Sequence, residues 1–216
     1  MNKNTIEGKL LFAQNAITNA LGYEEIKNLL ANFGYTEERL QEGQQLYERA
    51  SELQAKQQEE YGEQFAATDA LNAAKATANR EYMNHVKIAR IAFRDDRGAA
   101  ESLQLTGDRR QSLSGWLKQA RVFYANGLGN SEVLTALGRY GITTEKLTAA
   151  QGQVAGVEQA LNNQLKEKGE AQVATQQRDE AFDALQEWMG DFIAIARIAL
   201  ESQPQYLEVL GVVQPG

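Results

Sequence analysis

Apolar residues return every three or four positions along most of the chain, and the residues between them are largely the long, unbranched kinds that helices favour. The spacing predicts a first helix over about residues 5 to 20, stopping near Gly22. A second, short helix follows over about 24 to 32, with Ile26, Leu29, Leu30 and Phe33 on one side and Gly34 as a left-handed cap. Thr36 opens the next segment as an N-cap, with acidic residues in the first turn where the helix dipole favours them. From there Leu40, Tyr47, Leu53, Tyr61, Phe65, Leu71, Tyr82 and Val86 hold a helical phase as far as Phe93. An unbroken helix of that extent would reach about 85 Å at 1.5 Å per residue. A break at Gly62 would instead give two rods suited to a compact bundle, and that hairpin is the expectation.

The pattern is then written a second time. Residues 8 to 93 align without a gap onto residues 115 to 200 at an offset of 107, with 25 of 86 positions identical. Periods this long mean duplicated domains rather than a solenoid. The matches fall on punctuation: Gly22 with Gly129, Gly34 with Gly141, Thr36 with Thr143, Gly62 with Gly169. Asn126 to Gly129 marks the end of the first helix more clearly in the second copy. The longest identical block is Ile88-Ala-Arg-Ile-Ala92, which recurs as Ile195-Ala-Arg-Ile-Ala199. Beyond it the register shifts by three, so that Leu103 and Gly107 match Leu207 and Gly211. The expected architecture is all-α: a tandem duplication over residues 1–107 and 108–216, forming helical bundles related by a pseudo-twofold axis.

Composition removes whole classes of function. Both prolines, Pro204 and Pro215, lie near the C-terminus, leaving the rest free of the strongest helix breaker. A formal charge of −7 weighs against nucleic acid. Arg94, Arg97, Arg109 and Arg110 gather mid-chain, but Asp95, Asp96 and Asp108 interrupt them, which reads as a solvated loop between repeats. With no cysteine there is no disulfide framework, thiolate zinc site or thiol nucleophile. No stretch has the apolar length of a membrane span. Lys3, Lys9 and the apolar residues 10 to 13 could suggest a signal peptide, but the same segment recurs inside the chain and Gln14 interrupts it. A cytoplasmic location is expected.

Little in the sequence carries chemistry. His85, the one histidine, aligns with Phe192, and a single histidine beside an apolar helix face is read as structural. Paired carboxylates such as Glu24-Glu25 and Glu59-Glu60 diverge by about 100° on a helix and read as solvated faces. No metal-ligand spacing, phosphate loop or nucleophile motif occurs. Neither a metal nor a cofactor is implied, and catalysis is not expected. What stands out is Arg90 with Arg197. The latter is the one charge between Phe192 and Leu200, so its helix is expected to be buried on most sides and the guanidinium to meet a partner. Repeated acids, Glu25 and Glu132 or Glu63 and Glu170, are the expected bridges. The functional alternative is a pair of anion-binding arginines in a pocket between the repeats. The favoured role is a helical interaction or scaffolding protein that binds a protein partner or a further copy of itself.

Overall fold

The computed structural model describes residues 5–212, and within them every regular element is helical. The elements are α1 (Ile6–Gly22), α2 (Glu24–Ala31), α3 (Glu37–Ala92), α4 (Arg97–Ser102), α5 (Leu113–Leu128), α6 (Ser131–Gly138), α7 (Thr144–Ala199) and α8 (Gln205–Val209). None is long and apolar enough to cross a membrane. The bounds of α2 and α6, and of α3 and α7, differ by 107 at both ends, the offset read from the sequence.

The local stops are the predicted ones. Gly34 and Gly141 take φ of 82° and 75°, which a side chain would resist. Each closes a Schellman turn: the amides of Tyr35 and Ile142 donate to the carbonyls of Leu30 and Leu137, both at 3.2 Å. The same closing bonds secure Tyr35 and Ile142 in the apolar interior.

The expected hairpins do not form. α3 and α7 run unbroken through Gly62 and Gly169 for 56 residues each. One interior glycine costs a helix about 1 kcal/mol, whereas a break would expose up to four orphan amides and four orphan carbonyls. With strong helix formers on both sides, continuity wins. The glycines still mark a division. By their internal contacts the residues form two compact units, 1–61 with 170–216 (unit 1) and 62–169 (unit 2), whose limits fall at Tyr61/Gly62 and Gly169/Glu170. Each unit draws on both sequence repeats. Tyr61 and Phe65, read as part of the apolar face, are exposed, Phe65 by 63%.

A second expectation also fails: the register does not slip. After α4 the amide of Leu105 donates to the carbonyl of Ala100 at 2.8 Å, and after α8 that of Val212 donates to Leu207 at 2.9 Å. Asn126 donates to the carbonyl of Ser102 and Asn19 to that of Val209. Every one of these pairs is separated by 107. The structural counterpart of Gly211 (φ 76°) is therefore Gln104 (φ 51°), a non-glycine residue in the left-handed region. The glycine that resembles Gly211 in the sequence, Gly107, lies three residues beyond that position.

Unit 1 packs Ala13, Ala16, Ile17 and Ala20 of α1 and Ile26 and Leu30 of α2 around Leu40 of α3 and Leu185, Met189 and Phe192 of α7. Unit 2 packs Trp116, Phe123 and Tyr124 of α5 and Val133 and Leu137 of α6 around Tyr82 and Val86 of α3 and Leu147, Val154 and Val157 of α7.

Candidate functional site

Arg90 and Arg197, identical in the repeated block, differ in what they meet. Arg197, in unit 1, is exposed and makes no side-chain hydrogen bond or ion pair among the described residues. The burial expected for it does not occur. The end of α7 buries one face, through Phe192, Ala196 and Ala199, and leaves Ala194, Arg197 and Ile198 outside. Arg90, in unit 2, meets none of the repeated glutamates. Its Nε donates to the carbonyl of Leu105 at 2.9 Å and a terminal nitrogen to that of Gly107 at 3.2 Å.

A second arginine completes this arrangement. Arg109 donates to the carbonyls of Gln104 and Thr106, and also to the hydroxyl of Tyr82 at 3.0 Å. Four consecutive carbonyls, 104 to 107, thus accept from two interleaved guanidiniums. The fork of an arginine suits this role, since it offers several donors in fixed geometry and stays charged. Neither arginine forms an ion pair among the described residues, so both charges are balanced by carbonyl dipoles. Read as part of a solvated loop, Arg109 gave no periodic signal. The available hint was Tyr82: a tyrosine at a core position needs a partner for its hydroxyl.

Beneath the clamped turn lies a cluster of aromatic rings with polar tips. Tyr82 sits edge-on to Trp116 and Phe123, at centroid distances of 6.2 and 5.6 Å. Trp116 Nε1 donates to Asn79 Oδ1 at 2.8 Å. His85 is buried with its Nδ1 3.2 Å from the hydroxyl of Tyr124. Burial holds the imidazole below its ordinary pKa, with Glu81 pulling it up and Lys146 pushing it down. Burial also pushes the Tyr124 and Tyr82 hydroxyls up, the latter against the pull of Arg109. At neutral pH the pair is therefore uncharged, a satisfied polar contact inside an apolar core.

Among the cavities lined by described residues, two open on unit 2. The larger, about 550 Å³, lies between α5 and the first part of α7 over Tyr124, with Gly152 and Ala155 in its wall. The ion pair of Arg121 and Glu158, at 3.3 Å, spans its rim. The smaller, about 330 Å³, lies against the clamped turn and is bounded by Gln104, Thr106, Arg110, Lys118 and Gln119. Comparison of the chain with protein-family models, with curated proteins and with solved structures finds no match.

Proposed function

We propose that this chain is a non-enzymatic helical interaction or scaffolding protein, built by duplication of a helical unit and binding a protein partner or a further copy of itself. The observation that carries the reading is an exposed isoleucine inside the block the two copies share. In Ile88-Ala-Arg-Ile-Ala92 and Ile195-Ala-Arg-Ile-Ala199, packing accounts for the alanines at 89 and 196, which are buried. It does not account for Ile91 and Ile198, which are 52% and 56% exposed. Single exposed apolar residues are ordinary. Here the same residue stands exposed at the same place in both units, each time beside an exposed arginine. Phe33 and Tyr140, also exposed and also 107 apart, give each unit a second apolar position at the end of its short helix.

The non-enzymatic reading draws on His85, which is buried and engaged with Tyr124 rather than open to a substrate. A ligand held jointly by Arg90 and Arg197 is disfavoured, because the donors of Arg90 are spent on the turn's carbonyls.

The test pairs Ile91→Asp with Ile198→Asp in the full chain. Sedimentation velocity reads self-association, and quantitative mass spectrometry compares what wild type and variant recover. The reading expects helicity to be unchanged and either a shift to monomer or a loss of about tenfold or more in a recovered partner, as for removal of an interface anchor. A monomeric wild type whose recovered proteins match those of the variant would remove its support.

A further inference from the structure

We propose that the smaller cavity of unit 2 is a binding site for the phosphate monoester of a small polyol. This goes beyond an interaction role and needs no protein partner.

The charge at the cavity is the first observation. Arg110 and Lys118 line it, both exposed and neither in an ion pair among the described residues. Behind them, Arg90 and Arg109 turn their donors onto the carbonyls of residues 104 to 107, the groups that would otherwise repel an anion approaching this turn. Two cations, Arg110 and Lys118, and one carboxylate, Glu101, line the cavity, with Arg90 and Arg109 bound to the adjoining turn, on a chain whose formal charge is −7. Such local concentration of positive charge attracts an anion even on an acidic protein. An arginine beside a lysine suits phosphate, the first through its fork and the second as a point charge.

The rest of the lining sets the remainder of the ligand. Thr106 donates to Glu101 at 3.3 Å, and Gln119 accepts from the Arg110 amide at 2.8 Å and donates to the Asp108 carbonyl at 3.4 Å. These groups are held in the wall and offer a ligand only their remaining lone pairs and N–H, beside the Gln104 amide; among the described residues no aromatic ring borders the cavity. A nucleobase would have nothing to stack on, whereas hydroxyl groups would find both donors and acceptors. The volume of about 330 Å³ exceeds a bare phosphate and lies at the lower end of small-molecule sites.

Unit 1 explains why the site is confined to unit 2. There the counterparts of Lys118 and Gln119 are Leu11 and Phe12, and that of Gln104 is Gly211. A Cβ at Gly211 would lie 3.5 Å from the Phe12 ring, so the same place is covered by an aromatic side chain. In unit 2 that cover is replaced by the polar pair Gln104 and Gln119.

Titration of the full ¹⁵N-labelled chain with glycerol 3-phosphate, inorganic phosphate and glycerol tests the site. Glycerol 3-phosphate is expected to shift amides within 101 to 119 saturably, inorganic phosphate more weakly, and glycerol not at all. Arg110→Gln with Lys118→Gln should lower the affinity about tenfold or more, two charge-assisted contacts being lost. Both side chains are exposed, so the fold is spared, and the unshifted spectrum of the free variant checks this. No saturable shift at about 10 mM, a concentration well above a millimolar Kd, would overturn the proposal, as would an unchanged affinity in the variant. Equal affinity for phosphate and glycerol 3-phosphate would overturn the polyol assignment.

Discussion

At an offset of 107 the helices of the two units match to within one residue at each end, and the units fill them in opposite ways. In unit 1 the first helix is lined with aliphatic residues, Ala16 and Ile17, and the aromatic bulk comes from the long helix through Trp188 and Phe192, stacked at 5.1 Å. In unit 2 the counterparts of Ala16 and Ile17 are Phe123 and Tyr124, and those of Trp188 and Phe192 are Glu81 and His85. At these positions the rings stand on the long helix in unit 1 and on the first helix in unit 2, an exchange of the kind cores tolerate when total volume is kept. The exchange also changes chemistry. Among the described residues the Trp188 indole N–H is buried with no hydrogen-bond partner, whereas in unit 2 the indole of Trp116 and the hydroxyls of Tyr82 and Tyr124 all have partners. The matching helices thus enclose an unpaired indole N–H in unit 1 and hydrogen-bonded ring tips in unit 2.

The largest expected effect comes from removing transferred volume. Phe123→Ala should destabilise the chain by about 3 to 5 kcal/mol in denaturant unfolding, the cost of an emptied aromatic site. A loss under 1 kcal/mol would mean that α5 does not supply the bulk of that interior.

Glycine sharpens the contrast next. A Cβ at Gly43 would run into the six-membered ring of Trp188, whereas one at Gly152 meets nothing within 4 Å. Gly43→Ala should therefore cost about 1 to 3 kcal/mol through overpacking. The same change at Gly152 should add up to about 1 kcal/mol through helix propensity. Thermal unfolding of the two variants reads the sign directly, and Trp188→Leu should relieve the first. Gly43 aligns with Ala150, a difference that follows from the tryptophan facing it.

The smallest effect concerns pH. The folded pKa of His85 is depressed, so the unfolded chain binds more protons as pH falls below the ordinary histidine value of about 6.5, and stability is lost there. Replacing His85 and Tyr124 together by phenylalanine should flatten the dependence of Tm between pH 7.5 and 5.5. Phe192→His would test whether unit 1 can acquire it.

These contrasts mark where the sequence was legible. Thr36 and Thr143, with Gly34 and Gly141, were readable because a cap is decided by a few adjacent residues. Helicity itself was readable from phase and from the near absence of proline. Gly62 misled because a glycine is a strong signal in a loop and a modest cost in a long helix. The register after α4 misled because Gln104 occupies a position where glycine is usual, and the nearest glycine suggested a slip of three. The apolar run around Arg197 has an outer face, Ala194, Arg197 and Ile198, which its composition alone does not reveal. The candidate site was least legible of all. Identical letters at Arg90 and Arg197 say nothing of the turn that Arg109 helps to close, since that turn also depends on Arg109 itself, three to five residues from the carbonyls it binds.

Hydrogen exchange on wild type, Arg90→Met and Arg197→Met tests the central comparison most directly, because the two substitutions are the same change at matching positions. The account predicts faster exchange across residues 103 to 110 in Arg90→Met, where the carbonyls of Leu105 and Gly107 lose their donors, with residues 205 to 212 unaffected. Arg197→Met should leave both segments at the wild-type rate. Equal loosening of the two turns, each by its own arginine, would contradict it and restore the two residues to a single shared role.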